Sequence, residues 1–301
     1  MNGLLLSVID RWIGVKPNKP DPAAATASPA VVVTGGSSGI GLAIAQEFHR
    51  QGETVVLVAR DQDRLSAASS SFQPSKNIDK IKRIHTISLD VTAPRAPALL
   101  DAALRDLNLY LDVLVNSAGT GLAGPFDSHS PQELDRLVDL NVSALTRLTR
   151  HALPAMKARA HGGVINIASL GGYLPGPNQA AYYASKAYVC SLTEALASEL
   201  AGSGVRMTVV APGPVETRFH AKMGADNALY RWLMPALSPA GTARAAVFAY
   251  RLGRSVVVPG LIYKVMAVAV GIIPHWLTLP FIKLILSPRP TRSNDDINNS
   301  R

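Results

Sequence analysis

An alternation that begins near residue 30 constrains the fold of this chain most. Short runs of apolar, largely β-branched residues recur, and each is followed by a longer stretch with helical spacing. The runs are AVVVT from Ala30, TVVLVA from Thr54, RIHTISLD from Arg83, LDVLVN from Leu111, VINIAS from Val164 and VRMTVVAP from Val205. Residues 39–51, 96–108, 131–157 and 181–201 read as the intervening helices. Strands this apolar need cover on both faces, and helical crossovers make neighbouring strands parallel. The expected class is α/β, a parallel sheet wound with helices on both sides.

The chain has 301 residues, enough for one large domain. The alternation places that domain at residues 30–260, between an N-terminal piece at 1–29 and an extension at 261–301. Residues 1–14 form an amphipathic pattern of Leu4, Leu5, Leu6, Val8, Ile9, Trp12 and Ile13, and a Pro/Ala-rich linker follows. Asp10 and Arg11 cut the apolar run, so it does not read as a signal peptide. It either packs on the domain or touches a membrane or partner. Residues 265–282 carry no formal charge, but Pro274, His275 and Pro280 interrupt them. Short helices that cover a cleft or lie on a membrane surface suit that pattern better than a span. The last residues are polar and expected to be disordered.

Net charge is +9, which suits a phosphorylated cofactor, an anionic membrane or an acidic carrier. The basic residues are scattered and form no nucleic-acid motif, so no nucleic-acid partner is expected. The single cysteine, Cys190, excludes an intramolecular disulfide and a cysteine-rich metal site. A reducing compartment, hence a cytoplasmic and possibly membrane-associated protein, is the expectation.

Three residues carry the chemistry. Tyr182 and Lys186 are four apart in a helical stretch and share a face. Ser169 ends the VINIAS run, at a strand tip. A phenol is a poor acid-base near neutrality, and an adjacent ammonium is expected to lower its pKa toward the useful range. The serine hydroxyl would bond a substrate oxygen on which charge changes. Upstream, Gly35, Gly36, Gly39 and Gly41 lie between the first strand and first helix. Glycines there let backbone approach a pyrophosphate at a helix N-terminus. At the end of the second strand, Arg60 suits the 2′-phosphate of NADP(H), although Asp61 follows it directly.

Together these residues resemble the short-chain dehydrogenase/reductase family over about residues 30–260. The resemblance implies a Rossmann-type doubly wound sheet and an NADP(H)-preferring oxidoreductase. TGGSSGIG at 34–41 matches the phosphate loop, with Gly35, Ser37, Ser38, Gly39, Ile40 and Gly41 as cofactor residues. Asp90 and Val91 match the adenine contact, and NSAG with Asn116, Ala118 and Gly119 matches the family's NNAG, Ser117 being the departure. Asn141 matches the helix asparagine of the proton relay, and Ser169, Tyr182 and Lys186 match the catalytic set, with Tyr182 and Lys186 also touching cofactor. Pro212, Gly213, Val215 and Thr217 match the segment that meets the nicotinamide end. No metal is implied.

In that family the segment after the Pro-Gly pair, here 214–238, shapes the substrate pocket. It holds Phe219, Met223, Leu229, Tyr230, Trp232, Leu233 and Met234. With the apolar tail, this suggests a small hydrophobic carbonyl or alcohol substrate that is ketoacyl, steroid-like or retinoid-like. A ketoacyl-carrier reductase and a non-catalytic dinucleotide-binding regulator remain as alternatives. A homodimer through helices 131–157 and 181–201 is implied by the resemblance.

Overall fold

A computed structural model of the protein describes residues 26–72 and 84–287. Residues 1–14, most of the linker and the polar end lie outside them. Seven parallel strands form one sheet: β1 Ser28–Thr34, β2 Val55–Ala59, β3 Ile84–Ser88, β4 Leu109–Asn116, β5 Gly163–Ile167, β6 Arg206–Val210 and β7 Val256–Val257. Their spatial order is β3-β2-β1-β4-β5-β6-β7. The order reverses between β1 and β4, and ligands of open α/β sheets bind in the crevice beyond such a switch point.

Helices α1 Gly39–Arg50 and α2 Gln62–Ser70 cover one face, together with α9 Pro239–Arg251 from later in the chain. The other face packs α3 Ala96–Asp106, α5 Leu145–Arg159 and the end of α6 Ala180–Glu199. Alternate residues of one strand feed the two cores: Val31 and Val33 face α1, while Val32 faces α5. Each such side chain, fully buried, contributes about 1.5–3 kcal/mol.

Three local features depart from the sequence expectation. Residues 131–157 are helical throughout, as expected, but not uniformly α-helical. A capping box of Ser130 and Glu133 starts α4 Pro131–Val138, a π-helical turn follows at Asp139–Ala144, and α5 then continues. The stretch after β2 is helical, because the Asp61 carboxylate accepts from the Arg64 backbone N–H at 3.0 Å and caps α2. β7 is two residues long and shows no period in sequence.

The segment 214–238 is pinched at its base, where Glu216 N–H donates to Leu237 O at 2.9 Å and Leu237 N–H to Pro214 O at 2.8 Å. It carries two short helices, α7 Phe219–Met223 and α8 Tyr230–Leu233. The extension folds as α10 Leu261–Ile272 and α11 His275–Leu286. Among the described residues no helix is long and apolar enough to cross a membrane.

Candidate active site

Beyond the carboxyl ends of β1, β4, β5 and β6 lies a cavity of about 1440 Å³. Its floor is built by close backbone approach. The Thr34 hydroxyl donates to Val115 O and accepts from Ser117 and Ala118 N–H at 3.1 and 3.2 Å. That knot presses Gly35, with φ +65, against Ala118, where a Cβ would stand 2.9 Å from the Ala118 backbone. Ser38 precedes α1 without a side-chain cap, and no acid sits in its first turn. The positive end of α1 is thus left without a protein anion beside a glycine cradle, which suits a pyrophosphate.

Of the sequence-derived positions, Gly35, Ser37, Ser38, Gly39, Ile40, Arg60, Asp90, Val91, Ala118, Gly119, Ser169, Tyr182, Lys186, Pro212, Gly213, Val215 and Thr217 line the cavity. Gly41, Asn116 and Asn141 do not. Gly41 is buried behind the loop, where a Cβ would meet Gly35 O at 2.7 Å. Asn116 belongs to a buried ladder: its amide donates to Thr149 and to Asn166, which donates to Thr193. Its side chain ties β4 to β5 and α5 from beneath the site.

Asn141 works through backbone and side chain. Its Oδ1 accepts from Thr120 N–H at 2.9 Å, and its amide donates to Thr120 O at 2.8 Å and Ser185 Oγ at 3.0 Å. Ser185 in turn donates to Tyr182 O at 2.6 Å. The π turn thus joins the loop after β4 to the first turns of α6.

Lys186 Nζ donates to Ile167 O at 2.8 Å, at the tip of β5, and lies 5.8 Å from the Tyr182 ring centroid. The Ser169 hydroxyl accepts from Gly171 N–H at 3.1 Å and lies near enough to the Tyr182 phenol to lower its pKa. The expected lowering of the tyrosine pKa by lysine does not occur in the protein alone. Burial pushes the phenol up to about 12, and the Ser169 hydroxyl, not the lysine, pulls it back. Burial likewise brings the Lys186 ammonium down to about 8. Taking either charge out of water costs more than their separation in the pocket returns.

At the β2–β3 end of the cavity, burial acts to raise Asp90, but hydrogen bonds from the Thr92 N–H and hydroxyl, with Arg60 nearby, hold it below the usual range. Arg64 was missed in sequence because α2 was read as a polar connection. Its guanidinium donates to Ser38 Oγ at 3.1 Å and lines the cavity beside Arg60. Arg218 and Lys222 reach the same region from the 214–238 segment, and the Lys222 pKa is lowered by burial and then by Arg64, Arg218 and Arg60. Four cations therefore converge on one end of the cavity.

The other end is largely apolar, with His220 and Arg231 as polar members beside Tyr230. Phe219, Met223, Tyr230 and Met234 line it with Phe281, Ile282 and Leu286 from α11. Phe219 stacks obliquely on Tyr182 with centroids 5.5 Å apart. Trp232 and Leu233 point outward and Leu229 does not line the cavity, because one helical turn puts Tyr230 and Met234 on its inner side. Two polar features went unread in sequence. His220 Nδ1 pairs with the Tyr230 hydroxyl at 2.7 Å, burial lowering its pKa to about 4. The buried Gln179 side chain borders the cavity with its Nε2 unpaired.

The family profile described as short chain dehydrogenase matches residues 29–228. An uncharacterised oxidoreductase of Staphylococcus epidermidis is 33% identical over 186 residues, covering 62% of this chain and 77% of that one. A short-chain dehydrogenase from Sphingobium yanoikuyae, solved in complex with NADPH, superposes with a TM-score of 0.69 at 30% identity, covering 80% of this chain and 93% of its own. The bulky-bulky ketone specific alcohol dehydrogenase from Comamonas testosteroni superposes at 0.65 with 28% identity, covering 83% and 96%. Sheet order, glycine cradle and Ser-Tyr-Lys pocket agree with those matches: this chain belongs to the short-chain dehydrogenase family and is an NAD(P)-dependent oxidoreductase of CH–OH groups.

Proposed function

We propose that this protein reduces a hydrophobic ketone or aldehyde to its alcohol and takes NADPH in preference to NADH. The carrying observation is the polarity of the cavity, with Arg60, Arg64, Arg218 and Lys222 at one end and an apolar pocket beside Tyr182 at the other. Arginine forks suit a phosphate ester on the ribose, which NADH lacks. The NADPH held by the Sphingobium enzyme and the ketones of the Comamonas enzyme support the reading by analogy.

The nicotinamide supplies the hydride when bound. The chain's own residues handle the oxygen. Ser169 donates to the substrate carbonyl and orients it. Tyr182, with its pKa raised to about 12, is a neutral phenol at pH 7 and holds the proton that reduction consumes. Lys186, 5.8 Å from the Tyr182 ring centroid, would hold the cofactor's ribose hydroxyls and, with the cofactor in place, counter the charge of the phenolate. Asn141 keeps Thr120 and Ser185 in register, which fixes the start of α6 and with it the position of Tyr182. Gln179 offers its free amide N–H to a second polar group of the substrate. A homodimer through α4–α5 and α6 belongs to the same proposal.

NADPH and NADH oxidation, followed by absorbance with a panel of ketones and aldehydes, tests this. The expected kcat/KM with NADPH is at least about tenfold higher, as a lost charge-assisted contact implies. Arg60→Ala and Arg64→Ala should each narrow the gap. Tyr182→Phe should lose roughly 10²–10⁴ in kcat and keep NADPH binding. Equal efficiency with both cofactors would overturn the preference, and an active Tyr182→Phe variant the mechanism.

A further inference from the structure

Helices α10 and α11 are apolar on two sides. Their inner side roofs the cavity: Tyr263 is fully buried, and Met266, Val270, Ile282 and Leu286 border the pocket or its core. Among the described residues their outer side is apolar and uncovered. Leu261, Ile272 and Trp276 are 79%, 76% and 72% exposed, with Val265, Val268 and Leu284 each at least 60%. Contiguous apolar surface of this extent on a folded chain marks a contact site. Ile273 and Phe281 belong to both sides, since each borders the cavity and is also exposed. The substrate end of the cavity therefore reaches the bare apolar face.

The charges around the face name its occupant. Lys264 and Lys283 are exposed on the two helices. Neither α10 nor α11 carries an acidic residue. A second copy seated face to face would bring these lysines together with no carboxylate to pair them. An anionic bilayer supplies both an apolar phase for Trp276 and its neighbours and counter-charge for the lysines. Neither helix is long enough to cross it.

We propose that α10 and α11 lie in the surface of an anionic bilayer, and that the carbonyl substrate enters from the lipid phase between Ile273 and Phe281. The seating stands independently of the reductase reading, and the entry route rests on it.

Flotation of the full chain with phosphatidylcholine vesicles, with and without phosphatidylglycerol, tests the seating. The protein should float with the anionic vesicles and be released by high salt, and Lys264→Gln or Lys283→Gln should each weaken binding roughly fivefold. A combined Val265→Ser, Val268→Ser, Trp276→Ser, Leu284→Ser variant should stay unbound yet reduce a water-soluble aldehyde at the wild-type rate. Its turnover of a long-chain aldehyde dissolved in the vesicles should fall several-fold. The seating is overturned by no flotation with either vesicle, by equal flotation of the variant, or by a wild-type dimer that the variant dissociates, seen by light scattering, which would assign the face to a second copy. Loss of flotation on deleting residues 1–14 alone, with the face variant still floating, would also overturn it. Failure to reduce any aldehyde would instead sink the reductase reading, with flotation still deciding the seating.

Discussion

Tyr182 and Lys186 share one pocket, and burial acts on each by disfavouring its charged form. For the tyrosine this keeps the proton in place at neutral pH, which serves reduction. For the lysine it is a cost that the fold carries. Its folded pKa, about 8, lies below the ordinary 10.5, so below pH 8 the protein holds a charge it would rather shed. Stability from this group therefore increases as pH rises from about 8 to 10.5. Lys186→Met should accordingly be inactive but more stable at pH 7, by on the order of 2 kcal/mol after the lost bond to Ile167 O is counted. The difference should shrink toward pH 10.5, as thermal denaturation across pH would record. The spacing of Tyr182 and Lys186 was legible in sequence. The direction of their shifts was not, because desolvation depends on what the rest of the chain packs around them.

Elements, like residues, carry information unevenly. The strands and long helices are readable because their periods are long enough to recur. The π turn at Asp139–Ala144 is not, since the extra residue is held there by the Asn141 bonds to Thr120, which lies twenty-one residues earlier in the chain. Helix α2 hid Arg64 for a related reason. Asp61 looked like a charge that blurred the cofactor signal, whereas it is the cap of α2. The extension shows a third kind of dependence. Tyr263, in the first turn of α10, fills the space over Gly213 and donates its hydroxyl to Pro235 O. A Cβ at Gly213 would stand 2.4 Å from Tyr263 Cε1. Gly213→Ala should therefore destabilise by about 1–3 kcal/mol through overpacking and loosen α10 at the same time. Urea denaturation with Trp276 fluorescence as a local probe would separate the two effects.

Across the whole molecule, a rigid sheet presents the chemistry and a pinched segment closes over it. The pinch at Pro214, Glu216 and Leu237 leaves α7 and α8 tethered at one base, with Arg218 and Lys222 aimed at Arg60 and Arg64. An anion lying between Arg60, Arg64, Arg218 and Lys222 would offset the repulsion among them, so a 2′-phosphate is expected to tighten the segment. Hydrogen exchange in 217–234 should slow on adding NADPH, and slow less with NADH. Equal protection by both would detach this segment from cofactor choice.

By itself the sequence determined the parallel α/β sheet, the glycine cradle and the identity of Ser169, Tyr182 and Lys186. These are local patterns, set by period, spacing and residue chemistry. Only the tertiary structure decided that Asn116 lies in a buried ladder beneath the site, that four cations from α2, the β2 end and the 214–238 segment meet, and that α10 and α11 are apolar on both sides. Those facts are relations between residues far apart in the chain. Burial and charge become definite only when packing fixes which groups lose water together.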